Sequence, residues 1–221
     1  MKSSNSGWTR NDLLTNDMPL SKISGLFRSE EHPPETSMPK FISATKEKYD
    51  YEEVFGDYCP VFSYIKCPVD KAFEYAANPF SLEEWTYTLR DLKLVEGDLY
   101  VGREALAPDT SIYVRTESYA DSKVVDYLCA WDQPNELWMR YYCRFIDAMP
   151  TFNKPGCVLM WVNCRHPYYI RGNDLPEHIK KAQARKDRPW VGDVWNLFKA
   201  GHQVEADNMK AILESRFGKL L

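Results

Sequence analysis

The chain has 221 residues, a net charge of −4 and a hydrophobic fraction of 44%. That is apolar material enough for a real core, and the mixed acidic and basic pattern argues against a nucleic-acid partner. No apolar run approaches the ~18 residues of a membrane span, and the opening MKSSNSGWTRNDLL lacks the apolar stretch of a secretory signal.

Residues 1–57 read as an N-terminal arm. Ser, Asn, Pro and charged residues dominate, and Pro19, Pro33, Pro34 and Pro39 argue against a long element. Isolated apolar residues punctuate it: Trp8, Leu13, Leu14, Ile23, Leu26, Phe27 and Phe41. The arm is either a disordered tail or a strap packed on the main domain or on a second subunit, which leaves a homodimer open. Tyr49, Tyr51, Val54 and Phe55 favour packing over 41–57.

The main domain is read over 58–221. Cys59–Lys66 predicts the first strand. Pro68 opens a short helix whose apolar residues, Val69, Ala72, Phe73 and Ala76, have helical spacing. A second short helix follows, with Ser81 as N-cap and Glu84 closing a capping box. Six further strands are predicted: Leu89–Glu96, Tyr100–Ala107, Ser111–Ala120, Lys123–Trp131, Glu136–Ile146 and Cys157–His166. The short turns between them argue for an antiparallel meander. No glycine-rich strand-to-helix turn occurs, so no dinucleotide or phosphate-loop fold is indicated and no cofactor is expected.

Residues 171–190 read as a solvated insertion with a basic face of Lys180, Lys181, Arg185, Lys186 and Arg188. The last element, Val191–Phe217, predicts one helix of ~40 Å. Its stripe holds Val194, Trp195, Phe198, Met209, Ile212 and Leu213, with Lys199, Asp207, Lys210 and Glu214 largely on the other side. Gly201, His202 and Glu205 interrupt the stripe where bulky apolar residues are expected, which suggests a cavity beneath the helix. Six cysteines (Cys59, Cys67, Cys129, Cys143, Cys157 and Cys164) form no C-x-x-C pair and read as buried free thiols of a reducing, cytoplasmic compartment.

The segment CPVDKAFEYAANPFSLEEW, with Pro68, Phe73, Tyr75, Asn78 and Trp85, and the closing AGHQVEADNMKAILESRF resemble the START/Bet v 1-like (SRPBCC) superfamily, including its polyketide cyclase/dehydrase-like members. The resemblance covers about residues 59–217. It implies an α+β helix-grip fold: a seven-stranded antiparallel sheet wrapped around a long C-terminal helix, two short helices after the first strand, and an apolar cavity between sheet and helix. Members bind lipids, sterols, polyketides or plant metabolites, and some catalyse cyclisation or dehydration. The family has no universal catalytic motif to transfer.

Strand alternation assigns the cavity faces. Leu137, Met139, Tyr141, Cys143 and Phe145 should face inward, as should Val125, Tyr127, Cys129 and Trp131, and also Ile112, Val114, Thr116 and Ser118. Arg115, Glu117, Asp126, Arg140 and Arg144 should face solvent. The strand 157–166 is apolar on both faces, with Trp161 and Asn163 on one and Met160, Cys164 and His166 on the other. The expected ligand contacts are Tyr127, Trp131, Met139, Trp161, Asn163, Trp195 and Phe198. His202 and Glu205, three apart on the helix, suit a general base and its orienting carboxylate, and Tyr141 suits a proton donor. The same pair also reads as a half-wet structural contact at a helix edge.

No metal is expected, since the four histidines show no ligand spacing. The carboxylate pairs Glu30-Glu31, Glu52-Glu53 and Glu83-Glu84 fall in the arm or a helix cap, away from the expected cavity. The leading expectation is a cofactor-independent cyclase or dehydratase acting on a hydrophobic carbonyl compound. A lipid or aromatic-metabolite carrier and a partner-binding module are the alternatives.

Overall fold

The computed structural model describes residues 7–13, 19–172 and 174–221, with the side chain of Pro108 also left aside. Leu14, counted above among the apolar residues of the arm, lies outside the described residues. Helix α1 spans Pro34–Lys48 and α2 Tyr51–Phe55, followed by β1 (Tyr58–Ile65), α3 (Val69–Ala77) and α4 (Leu82–Trp85). The meander runs β2 (Leu89–Glu96), β3 (Leu99–Glu104), β4 (Ala107–Tyr119), β5 (Val124–Trp131) and β6 (Met139–Asp147). A short α5 (Ala148–Phe152) leads into β7 (Cys157–Cys164), then α6 (Glu177–Gln183) and α7 (Phe198–Phe217). All seven strands form one antiparallel sheet in the order β1-β7-β6-β5-β4-β3-β2.

Alternation sets the inner face of this sheet. Val125, Tyr127, Cys129 and Trp131 of β5 are buried, as are Ile112, Val114, Thr116 and Ser118 of β4 and Met139, Cys143 and Phe145 of β6. Trp161 and Asn163 of β7 turn inward, while Met160 and Cys164 face out, which resolves the strand that periodicity left open. Five of the six free cysteines are buried; Cys164 is exposed. Burial pushes the thiols of Cys59, Cys67, Cys129 and Cys157 up to about 12, as expected for inert core residues.

The last element departs from the single helix expected. Val191–Leu197 is a 3-10 turn, and Val194 leaves helical geometry (φ −110, ψ 17) before α7 begins. This turn packs closely on the preceding segment: a Cβ on Gly192 would lie 1.7 Å from the Tyr169 carbonyl oxygen. The polar side of α7 is not simply solvated. Lys199 is buried, and its ammonium group donates to the Pro60 carbonyl and pairs with Glu53 at 3.3 Å. Gln203 reaches the Phe62 carbonyl at 3.5 Å, and Glu214 accepts the Lys66 N–H at 2.8 Å. These side chains occupy backbone groups along the outer edge of β1 that would otherwise invite another strand.

Ser81 stands at the N-cap position of α4 but makes no capping hydrogen bond. Its backbone is already helical, and its hydroxyl accepts the Trp85 indole N–H at 3.3 Å. Asn78 caps the preceding turn through the Phe80 N–H. Glu84, read as the capping-box partner, instead binds Arg216 on α7.

The arm holds the clearest correction. Pro34 and Pro39 do not prevent α1. Pro34 sits in its first turn, where no intrahelical donor is needed, and Pro39 forfeits one backbone bond near that end. Packing outweighs that loss. Phe41 lies edge-on to Tyr87, and Phe27 stacks on both His32 and Tyr87. Asn208 of α7 accepts the Phe27 N–H at 2.7 Å and donates to the Phe27 and Trp85 carbonyls. Leu13, Ile23, Leu26 and Val54 are buried, but Tyr51 and Phe55 are exposed, against the packing expected of them.

A second strap is Glu30 on Arg90, a two-pronged ion pair. Burial by itself would raise the Glu30 carboxyl; the hydrogen bonds and charge of Arg90 reverse this and hold it at about 2. Because the folded value is depressed from 4.5, the strap's contribution is full above that pH and is lost as pH falls towards 2. Pepsin cleavage of the arm should therefore accelerate between these limits in the wild type. Glu30→Gln should be cleaved readily across the whole range. Equal cleavage of the two proteins would discount the strap.

Candidate functional site

A cavity of about 430 Å³ lies between the concave face of the sheet and the start of α7. This is within the ordinary range for small-molecule sites. Its walls are apolar and aromatic: Trp85, Tyr127, Trp131, Met139, Tyr141, Trp161 and Phe198 among others. Pro34, Met38 and Phe41 of α1 form part of the lining, so the arm contributes to the site. The interruption in the helical stripe opens onto this space, where Gly201, His202 and Glu205 all line it. Nothing lies within 4 Å of a Cβ built on Gly201.

Trp195 stands apart from the cavity lining. Its ring packs on Tyr169 with centroids 5.0 Å apart, and its indole N–H donates to the Gly56 carbonyl at 3.0 Å. Trp195 lies in the 3-10 segment before α7 begins, and its ring touches Phe198 at 4.9 Å from outside the cavity lining. Tyr127 presents its ring alone, because its hydroxyl donates to the Ala76 carbonyl at 2.7 Å. Arg115, Arg140 and Arg144 are not among the lining residues.

His202 is held on several sides. Its Nδ1 lies 3.0 Å from Glu205 Oε2, and the other Glu205 oxygen accepts the Tyr87 N–H at 2.9 Å. Its Nε2 lies 3.3 Å from Asn163 Nδ2. Asn163 thus stands behind the histidine and is fully buried. The ring rests against Trp161 at 4.5 Å and meets Phe198 and Tyr141 at 5.0 and 5.6 Å between centroids. These partners select the tautomer with the proton on Nδ1, donating to Glu205, while the lone pair of Nε2 accepts the Asn163 amide N–H. Burial raises the Tyr141 phenol well above its ordinary value, and the nearby Tyr169 adds to this. Tyr141 therefore stays a neutral hydroxyl, a donor to a ligand oxygen rather than a base.

Glu104 was missed by the sequence reading. It is 7% exposed, lines the cavity, and accepts the Leu106 N–H at 3.0 Å. Burial raises its carboxyl, and the charge of Glu205 pushes in the same direction. The signal was available: Tyr100, Gly102 and Glu104 alternate with half-exposed neighbours, so all three lie on the inner face. Reading the strand through to Ala107 hid the turn that ends it at Glu104.

Residues 171–190 also differ from the solvated basic face expected. Arg188 has a side chain only 2% exposed, lies 4.5 Å over the Trp131 ring and binds Asp132. Arg185 reaches the same carboxylate at 3.1 Å. The segment thus turns two cations inward and pins Trp131, a wall of the cavity. Among the described residues no group of His, Cys, Asp and Glu is arranged to hold a metal ion, and no helix is long and apolar enough to cross a membrane.

The sheet order, the gripped C-terminal helix and the cavity between them make a helix-grip fold. No family model and no curated protein matches the chain in sequence. Solved structures similar to it include a START superfamily protein from Mycobacterium smegmatis, with TM-score 0.49 and 5% identity over 72% of this chain and 97% of that one. The Zhui aromatase/cyclase from Streptomyces sp. R1128 gives TM-score 0.49 and 12% identity over 72% and 92% of the two chains. A protein of unknown function from Staphylococcus aureus gives TM-score 0.48 and 14% identity over 72% and 93%. These likenesses are ones of chain path.

Proposed function

We propose that this protein binds a hydrophobic, carbonyl-bearing small molecule in its cavity and transfers protons on it, as a cofactor-independent enzyme of the cyclase or dehydratase kind. The observation that carries this reading is His202 fixed between the Glu205 carboxylate and the Asn163 amide at the wall of an otherwise apolar cavity. On this reading a ligand displaces the Asn163 amide from Nε2, and the imidazole, held in one tautomer by Glu205, takes a proton from the carbon next to the carbonyl. The Tyr141 hydroxyl, which burial keeps protonated, is suited to polarising that carbonyl. A carrier needs one anchoring group, whereas a carboxylate, an imidazole and a neutral hydroxyl converge here.

The test is hydrogen exchange on a simple ketone. Naphthyl methyl ketone should quench the cavity tryptophans on binding. In heavy water, its methyl protons should exchange for deuterium faster with the protein than without it, as read by NMR. Binding without accelerated exchange would replace the enzyme reading with the carrier one.

A further inference from the structure

We propose that Glu104 is a second catalytic residue of this cavity, the acid that protonates a departing hydroxyl while His202 takes the proton from carbon. The substrate class is then an uncharged, apolar β-hydroxy carbonyl compound that loses water. The proposal rests on the proton-transfer reading above and assigns that chemistry its second half.

The geometry comes from two elements and the segment that joins their carboxyl groups. Glu104 ends β3 on the sheet, and His202 and Glu205 stand on α7; all three line one cavity. The segment before β2 ties them together. Tyr87 gives its N–H to Glu205, and the next residue, Thr88, accepts the Ala105 N–H at 3.0 Å and hydrogen-bonds the Glu104 carboxyl through its side chain. Consecutive residues of one chain segment therefore hold the acid and the base's orienting carboxylate. Movement of one relative to the other would require that segment to move as well.

Two further observations define the chemistry. Burial and, to a smaller extent, the neighbouring Glu205 push the Glu104 carboxyl up, against the hydrogen bonds it accepts from Thr88 and Leu106. Arg90 is the cation that opposes this rise, but its guanidinium is occupied by Glu30 and by the carbonyls of Thr86, Tyr87 and Leu89. Among the described residues no Lys or Arg lines the cavity, while two carboxyl groups do. A carboxylate or phosphate ligand would be desolvated there without a cationic partner, so an uncharged ligand is selected.

The step balances without a cofactor. His202 Nε2, released from the Asn163 amide as the ligand binds, removes a proton from the carbon between carbonyl and carbinol. The electron pair left on carbon forms the C=C bond as the C–O bond breaks. The hydroxyl departs with the Glu104 proton as water. The imidazolium proton then returns to the Glu104 carboxylate through solvent. The products are an enone and one water molecule.

The experiment separates the two halves of this chemistry. Naphthyl methyl ketone, which has no hydroxyl to lose, reports carbon deprotonation by deuterium exchange. The β-hydroxy ketone formed from it and acetaldehyde reports water loss by the absorbance of the conjugated enone. Glu104→Gln keeps an oxygen for the Leu106 N–H. It should slow dehydration about 10²-fold or more beyond any effect it has on exchange. Equal dehydration by Glu104→Gln and wild type, with exchange intact, overturns the role of Glu104 and leaves the proposed function standing. Absence of both activities in the folded wild type overturns the proposed function and this role with it. If Glu104→Gln does not fold, Glu104→Asp, which withdraws the acid by one methylene, should slow dehydration at least about tenfold more than it slows exchange. Parallel changes in the two rates would overturn the assignment.

Discussion

Glu84→Ala should destabilise the protein by about 3–5 kcal/mol, the usual consequence of leaving a buried cation without its carboxylate. Glu84 Oε2 accepts from Arg216 Nη1 at 2.7 Å and from the Tyr75 hydroxyl at 2.9 Å, while Oε1 accepts from Arg216 Nη2 at 2.9 Å. The Arg216 side chain is 2% exposed and that of Glu84 13%, so water cannot easily take over. The pair joins α4 to the end of α7, and α4 supplies Leu82 and Trp85 to the cavity. Loss of the carboxylate therefore loosens both the fold and one wall of the site. Glu84→Gln keeps part of the hydrogen bonding and should cost less. Denaturant unfolding of the three proteins measures this, and a Glu84→Ala penalty under about 1 kcal/mol would show the pair to be incidental.

The second large effect falls on activity. His202→Ala should lower the exchange of naphthyl methyl ketone by about 10²-fold or more while the protein stays folded. The histidine contributes its ring to the wall, but the contacts that order its surroundings do not pass through it. Glu205 keeps the Tyr87 N–H, and Asn208, further along α7, keeps the arm. Thermal melting of the same sample separates the outcomes. Unchanged exchange in a well-folded variant would remove His202 from the mechanism. Loss of folding would make it a structural residue, the bland reading that a lone helical His–Glu pair always carries.

The fold was legible because its pattern is local and repeated. Two-residue alternation in β4, β5 and β6 assigned each inner face, and the break at Gly201, His202 and Glu205 pointed to the cavity. What was not legible depends on residues distant in sequence. Helix α1 exists because Phe41 and Phe27 find Tyr87, a partner that local proline chemistry says nothing about. Lys199 is buried because the edge of β1 offers it a carbonyl, and Trp195 lies in a 3-10 segment and packs on Tyr169, which a regular helical stripe does not foresee. Arg188 looked like one of a solvated basic run until Asp132 and the face of Trp131 came into view. Glu104 is different in kind: its inward face followed from alternation, and a strand end drawn three residues late obscured it.

The measurement that bears most directly on the account is a crystal structure of the protein with naphthyl methyl ketone bound. The account predicts the naphthalene ring against Trp85, Trp161 and Phe198, with the acetyl methyl carbon about 3–3.5 Å from His202 Nε2, the separation of a reactive encounter. A ketone lodged elsewhere on the protein, or seated in the cavity with its acetyl group directed away from His202 towards α1, would contradict it.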